Sequence, residues 1–205
     1  VFLTDGYIGN EPEVLKLIYR KIGNARIYAF GVGSSVNRFL LSEMARVGRG
    51  FARYIDPTEN PDEVAIKLAH KLESPLLTDI SIDWKKLKVS EVTPEIIPDL
   101  FSGDSIRIQG KFEGEGLETI QVIGKVRGRN ASLPLQLNLP KDNYYEASTS
   151  PIPLVWARSK ISDYMRELNT PKTMKASGFS DEELEFKVTT LGLDHSLATK
   201  WTSFV

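Results

Sequence analysis

Asp5 is the residue best placed to do chemistry. It follows the apolar run Val1-Phe2-Leu3, which Thr4-Asp5-Gly6 stops. In open α/β sheets, ligands bind beyond the carboxyl ends of the strands. A carboxylate there suits a hard divalent cation such as Mg2+, which takes carboxylate, hydroxyl and water oxygens in an octahedron. One Asp does not fill an octahedron. Asp also favours turns, because its side chain bonds to its own backbone. Both readings of Asp5, metal ligand and turn former, stay open at this level.

A second group is cationic. Arg107, Lys111, Lys125, Arg127 and Arg129 fall in stretches where apolar and polar residues alternate. They form a candidate face for a sulfated glycan or other polyanion. The plain alternative is a solvated sheet face, since a strand with one side on a core puts polar residues outside. Other chemistries find less support. Gly31-Val32-Gly33 lacks the third glycine of a dinucleotide loop, with Val36 in its place. There is no Gly-x-Ser-x-Gly nucleophile elbow. The chain has no cysteine and two distant histidines, His70 and His195, so thiolate metal sites are excluded. A binding module is expected rather than an enzyme.

Composition narrows the partners. The 205 residues are 41% apolar and 26% charged, with a formal net charge of -1. That balance argues against a general nucleic-acid binder. No apolar run approaches the roughly 20 residues of a membrane span. Trp84, Trp156 and Trp201 read as core or inter-domain anchors. Asn130-Ala131-Ser132 fits the short N-glycosylation pattern.

The elements that position these residues change character twice. Residues 1–75 alternate strand and helix. Asn10 and Asn60 read as helix N-caps, with Pro61 at a first helical position. Val14, Leu15, Ile18 and Ile22 repeat at helical spacing. Phe39, Leu40, Met44 and Val47 form a second stripe, and Val64, Leu68 and Leu72 a third. Between them, Ile27–Val32 and Phe51–Ile55 read as strands of a mostly parallel sheet.

After Ser74-Pro75 the period becomes two. Four half-buried strands are expected, around Ile80/Ile82/Trp84, Ile106/Ile108, Ile120/Val122/Val126 and Leu133/Leu135/Leu137/Leu139. A Glu113-Gly114-Glu115-Gly116 turn lies among them. Helical spacing then returns at Leu154, Ala157, Ile161, Tyr164 and Leu168. Ser180 with Glu183 reads as a capping box ahead of Leu184, Val188 and Leu191. Thr199–Val205 has the composition of a closing strand.

Several of these strings are family-like. Val1-Phe2-Leu3-Thr4-Asp5-Gly6 with Gly9-Asn10-Glu11 resembles the strand and loop that carry the last acidic residue of the metal-ion-dependent adhesion site in von Willebrand factor type A (vWA) domains. Phe30–Asn37, with Leu41, Ala45 and Gly48-Arg49-Gly50, resembles the next strand, helix and turn of that fold. Leu154–Ile161, Leu191-Gly192-Leu193 and Thr199–Val205 resemble the tail of the inter-alpha-trypsin inhibitor heavy chains. The resemblance implies a divalent cation shared between domain and ligand, and an extracytoplasmic role in adhesion. Only Asp5 carries over to the metal site. The family's Asp-x-Ser-x-Ser motif has no match: Asp79–Asp83 and Asp194–Ala198 are its nearest strings, and both depart from it.

The expected fold is α/β plus β: a partial, doubly wound Rossmann-like vWA sheet (residues 1–75), an antiparallel β-sandwich-like domain (76–150), and a helical tail with a closing strand (151–205). The chain reads as a fragment that begins inside a domain. Expected partners are a protein ligand or a matrix component, and a missing N-terminal part or second copy that covers the open sheet. The alternative function is an interaction scaffold that uses no metal and makes its contacts through the β domain.

Overall fold

The computed structural model describes residues 1–5, 9–73, 75–140, 150–170 and 177–204. The turn glycine Gly6, the break at Ser74 and the terminal Val205 lie outside the described residues. The chain forms two compact units. One comprises residues 1–82, 96–106 and 122–133; the other comprises 83–95, 107–121 and 134–205.

The first unit opens with β1 (Phe2–Thr4), α1 (Glu11–Lys21), β2 (Ala29–Val32), α2 (Arg38–Val47), β3 (Ala52–Ile55) and α3 (Pro61–Glu73). The three strands form a parallel sheet in the order β1-β2-β3. Parallel strands need crossover helices, which the apolar stripes supply. Ala29 packs with Val36, Leu41 and Ala45, while Leu15 of α1 packs with Leu40 and Met44 of α2. Fully burying a Leu contributes roughly 1.5–3 kcal/mol. Phe30, the next residue along β2, lines a hollow of about 260 Å3 with Val64 and Leu68 of α3.

Two stripes differ from expectation. Leu40, Met44 and Val47 are buried as expected, but Phe39 is 60% exposed, and Leu41 and Ala45 join the core. The missed signal is Asn37, whose side chain accepts from Leu40 N (3.0 Å) and so fixes where α2 starts. Asn10, expected to cap α1, makes no side-chain cap bond. Val64, Leu68 and Leu72 are half-buried, and no described residue of α3 is fully buried. β2 begins at Ala29, later than expected. Ile27 is held by Gly48 O (3.2 Å) and lies so close to Gly48 that a Cβ there would come within 2.6 Å of its own.

A four-stranded sheet has the order β6-β4-β8-β9: β4 is Pro75–Asp83, β6 Leu100–Phe101, β8 Gly116–Val126 and β9 Arg129–Leu139. The strands β4 and β6 pair antiparallel, and the two-residue turn Arg127-Gly128 makes β8 and β9 a hairpin. A second, antiparallel ribbon pairs β5 (Lys88–Thr93) with β7 (Gln109–Glu113). Mixed α/β content with parallel and antiparallel sheets agrees with the expected class.

The strand expectations need correction. Ile106 and Ile108 lie in the loop before β7. The strands β5 and β6 escaped notice: β5 carries a register shift between Ser90 and Thr93 and a left-handed Glu91 (φ 50), which break the period of two. Leu133 and Leu135 of β9, expected on a half-buried face, are exposed, as suits the last strand in the order.

In the second unit, α4 (Ile152–Leu168) packs on α5 (Asp181–Asp194) through Tyr164, Leu184 and Val188. The Ser180–Glu183 capping box forms in both directions. Trp156 is a core anchor: its ring packs with Ala157 and Leu197, and its Nε1–H donates to Glu91 O (3.0 Å). Residues Thr199–Phe204 form no strand. Thr199 instead closes a turn, donating its N–H to Thr202 O and accepting at Oγ1 from Trp201 N and Thr202 N. A Thr hydroxyl that captures nearby N–H groups competes with ladder pairing.

Candidate functional site

Asp5 stands exposed just beyond β1. The register sets Thr4 beside Gly31 and Val32 beside Ile55. Asp5, Gly33 and Asp56 therefore leave three adjacent strands at one edge. Neighbouring strands lie about 4.8 Å apart, so the outer two backbones are separated by about 10 Å. Gly33 has a φ of 103, a conformation that suits glycine, and the exposed Ser34 and Ser35 follow it.

The other acids of this edge are engaged. Asp56 Oδ1 accepts from Thr58 Oγ1 (2.6 Å) and Thr58 N (2.9 Å), and these bonds, the hydroxyl first, hold its pKa below the usual carboxylate value. Glu59 accepts from Asp56 N (2.8 Å) and Arg53 (2.5 Å). Glu11 accepts from Asn37 Nδ2 (2.6 Å), which ties the start of α1 to the cap of α2. Asp5 takes no such partner among the described residues.

Six oxygens are needed around Mg2+. No group of three acidic or histidine side chains among the described residues gathers to hold an ion. The edge offers one free carboxylate and two hydroxyl residues, which is not a closed coordination sphere. The described residues do not by themselves fit the cation that the resemblance implies.

The basic residues divide. Lys125 precedes the β8–β9 turn, with Arg127 in it and Arg129 following. Lys125 Nζ pairs with Asp79 (3.0 Å). Asp79 also receives Arg26 (2.6 Å) and Arg49 (3.2 Å), while Arg26 grips the buried Asp99 (2.5 Å). Lys125 and Arg26 hold the Asp79 carboxyl down to about 2. Sequence reading missed this network because its bonded partners are 20 to 73 residues apart. In the second unit, Lys111 pairs with Glu91 (2.7 Å) and stands over the Trp156 ring. Arg107 is exposed in the loop before β7.

No family model matches the chain. Individual proteins do. It is 24% identical over 208 residues, 98% of its length, to a von Willebrand factor A domain-containing protein of Dictyostelium discoideum. It is likewise 24% identical over 223 residues, 100% of its length, to inter-alpha-trypsin inhibitor heavy chain H2 of Sus scrofa. The chain is similar to vWA domain-containing proteins and inter-alpha-trypsin inhibitor heavy chains. The resemblance read from the sequence is thus borne out. The chain spans 10% of the Dictyostelium protein and 23% of the pig protein. Among solved structures, the ArnB paralog VWA2 of Sulfolobus acidocaldarius aligns over 95% of this chain and 55% of its own, at 15% identity and a TM-score of 0.38.

Proposed function

We propose that this chain is a protein-interaction module of the vWA type, binding at the carboxyl edge of its parallel sheet. The observation that carries this reading is the exposed Asp5 at that edge, which takes no partner among the described residues, beside neighbouring acids that are already engaged. In this reading Asp5 contributes to a divalent-cation site through a bound water. Groups outside the described residues, or the partner's own oxygens, complete it. The partner is a protein or matrix component in an extracytoplasmic setting. No described helix is long and apolar enough to cross a membrane.

The domain division at residues 75 and 150, with a sandwich-like middle part and a helical tail, belongs to the same proposal. So does recruitment of a further strand, from the same protein or a second copy, beside β1, the outer strand of the order β1-β2-β3. Arg127 and Arg129, beside Lys125, are proposed as the part of an anion-attracting face that the β8–β9 hairpin carries.

The test is calorimetric titration of the chain with Mg2+ and Mn2+, alongside Asp5→Ala. Saturable binding that is lost in the variant is the expected result. Binding that survives the substitution removes Asp5 from the site. If neither protein binds either ion, this chain makes no cation site of its own. The second reading then takes over: a scaffold that makes its contacts through the β region. The exposed Ile123, Val126 and Leu133 of the β8–β9 hairpin favour it.

A further inference from the structure

We propose that a polar hollow on α4 is a binding site for a tetrahedral oxyanion, sulfate or phosphate. The hollow holds about 400 Å3 and lies wholly within the second unit. Its lining includes Arg158, Ser159, Ser162 and Arg166 of α4, Arg107 in the loop before β7 and Gln109 at the start of β7. Residues 158, 162 and 166 are four apart, so they stack along one face of the helix. Three guanidinium groups border the space, and none of the described residues lining it is acidic.

The three arginines are not equivalent. Arg166 is anchored by Asp163 and by Ser162 Oγ (2.7 Å), so its charge is largely answered and its position fixed. Arg107 and Arg158 are exposed and take no hydrogen-bond or ion-pair partner among the described residues. Two like charges beside one hollow repel each other unless an anion lies between them. No carboxylate of the described lining does that.

The neutral groups suit the same ligand. Ser159 Oγ donates to Gln109 Oε1 (3.2 Å), which leaves the Gln109 amide hydrogens free to donate. Forked guanidinium donors match the oxygen pairs of sulfate and phosphate. The volume falls in the lower part of the range of small-ligand pockets, roughly 300–1,000 Å3, enough for the anion and part of the group that carries it. The net charge of the chain is -1. Attraction here is therefore local and not the work of a generally basic surface. The site is independent of the Asp5 edge and needs no cation.

The experiment is calorimetry on the whole chain at low ionic strength, with sodium sulfate and sodium phosphate as probes and sodium chloride as the reference. Arg158→Gln and Arg107→Gln are compared with Lys86→Gln, an exposed substitution of equal charge change outside the hollow. All three substitutions are at exposed residues, and circular dichroism checks that each variant folds. We expect saturable binding of at least one oxyanion, weakened by about tenfold or more in each arginine variant and nearly unchanged in Lys86→Gln. Tighter sulfate binding assigns a sulfated ligand; tighter phosphate binding assigns a phosphorylated one. Heats no larger than those of chloride overturn the proposal. Equal weakening in all three variants, or none in the arginine variants, overturns it as well.

Discussion

Asp79 has a left-handed backbone (φ 52) and receives Arg26, Arg49 and Lys125. Its backbone N–H donates to Asp99 (3.1 Å), which ties the two acids together. The lowered pKa, about 2 against the usual 3.8, fixes the sign of its pH effect. The stabilisation is fully present above the unfolded value and is lost as pH falls through 3.8 toward 2. Asp79→Asn keeps a residue that tolerates the left-handed region and removes the charge. The variant is expected to be less stable at neutral pH, and its stability should change less between pH 4 and 2 than that of the parent. Denaturant melts across that window check this. A parallel pH dependence in both proteins would mean that Asp79 does not carry the effect. Tyr164 shows the opposite shift: burial first, then Glu91, Glu95 and Glu167, push its phenol up to about 12.

At the scale of elements, caps and periods were the legible part. The Ser180–Glu183 box was readable from spacing alone because it is a local bond pattern: Ser180 Oγ accepts from Glu183 N (3.1 Å), and Glu183 accepts from Ser180 N (2.8 Å). Ser180→Ala is expected to destabilise the fold by about 0.5–2 kcal/mol, with hydrogen exchange rising first in the opening turn of α5. Exchange unchanged in that turn would show that the cap contributes little. The bulged β5 was not legible, since its left-handed Glu91 shifts every later side chain to the other face. The stripe of α2 was misread only at Phe39, because amphipathic spacing alone does not say how far round the helix a broad apolar arc is covered.

At the scale of the whole molecule, each unit has its own core. Leu40 and Leu41 are fully buried in the first, Leu184 and Val188 in the second. Removing a buried Leu side chain costs both its transfer energy and a cavity. Leu41→Ala and Leu184→Ala are each expected to cost about 2–5 kcal/mol in chemical denaturation. A cost well below 1 kcal/mol in either would mean that its surroundings collapse into the space. Gly48 and Gly50 set a further limit, because both lie against Ile27, and a Cβ on either would collide with it.

The sequence by itself determined the alternation of strand and helix up to Glu73, the Gly-rich break between strands at Gly114, the α5 cap and the likeness to vWA and heavy-chain proteins. These rest on local periodicity, on short-range hydrogen bonds, or on strings that survive as strings. It also placed Asp5 at the end of an apolar strand. Tertiary structure alone decided what surrounds each charge. It brought Asp79 to Arg26, Asp99 and Lys125, and Arg107 to Arg158 and Arg166. It turned Thr199–Phe204 into a turn closed by the Thr199 hydroxyl. Side chains far apart along the chain meet only after the backbone has been fixed by burial, and no local pattern records which of them will meet.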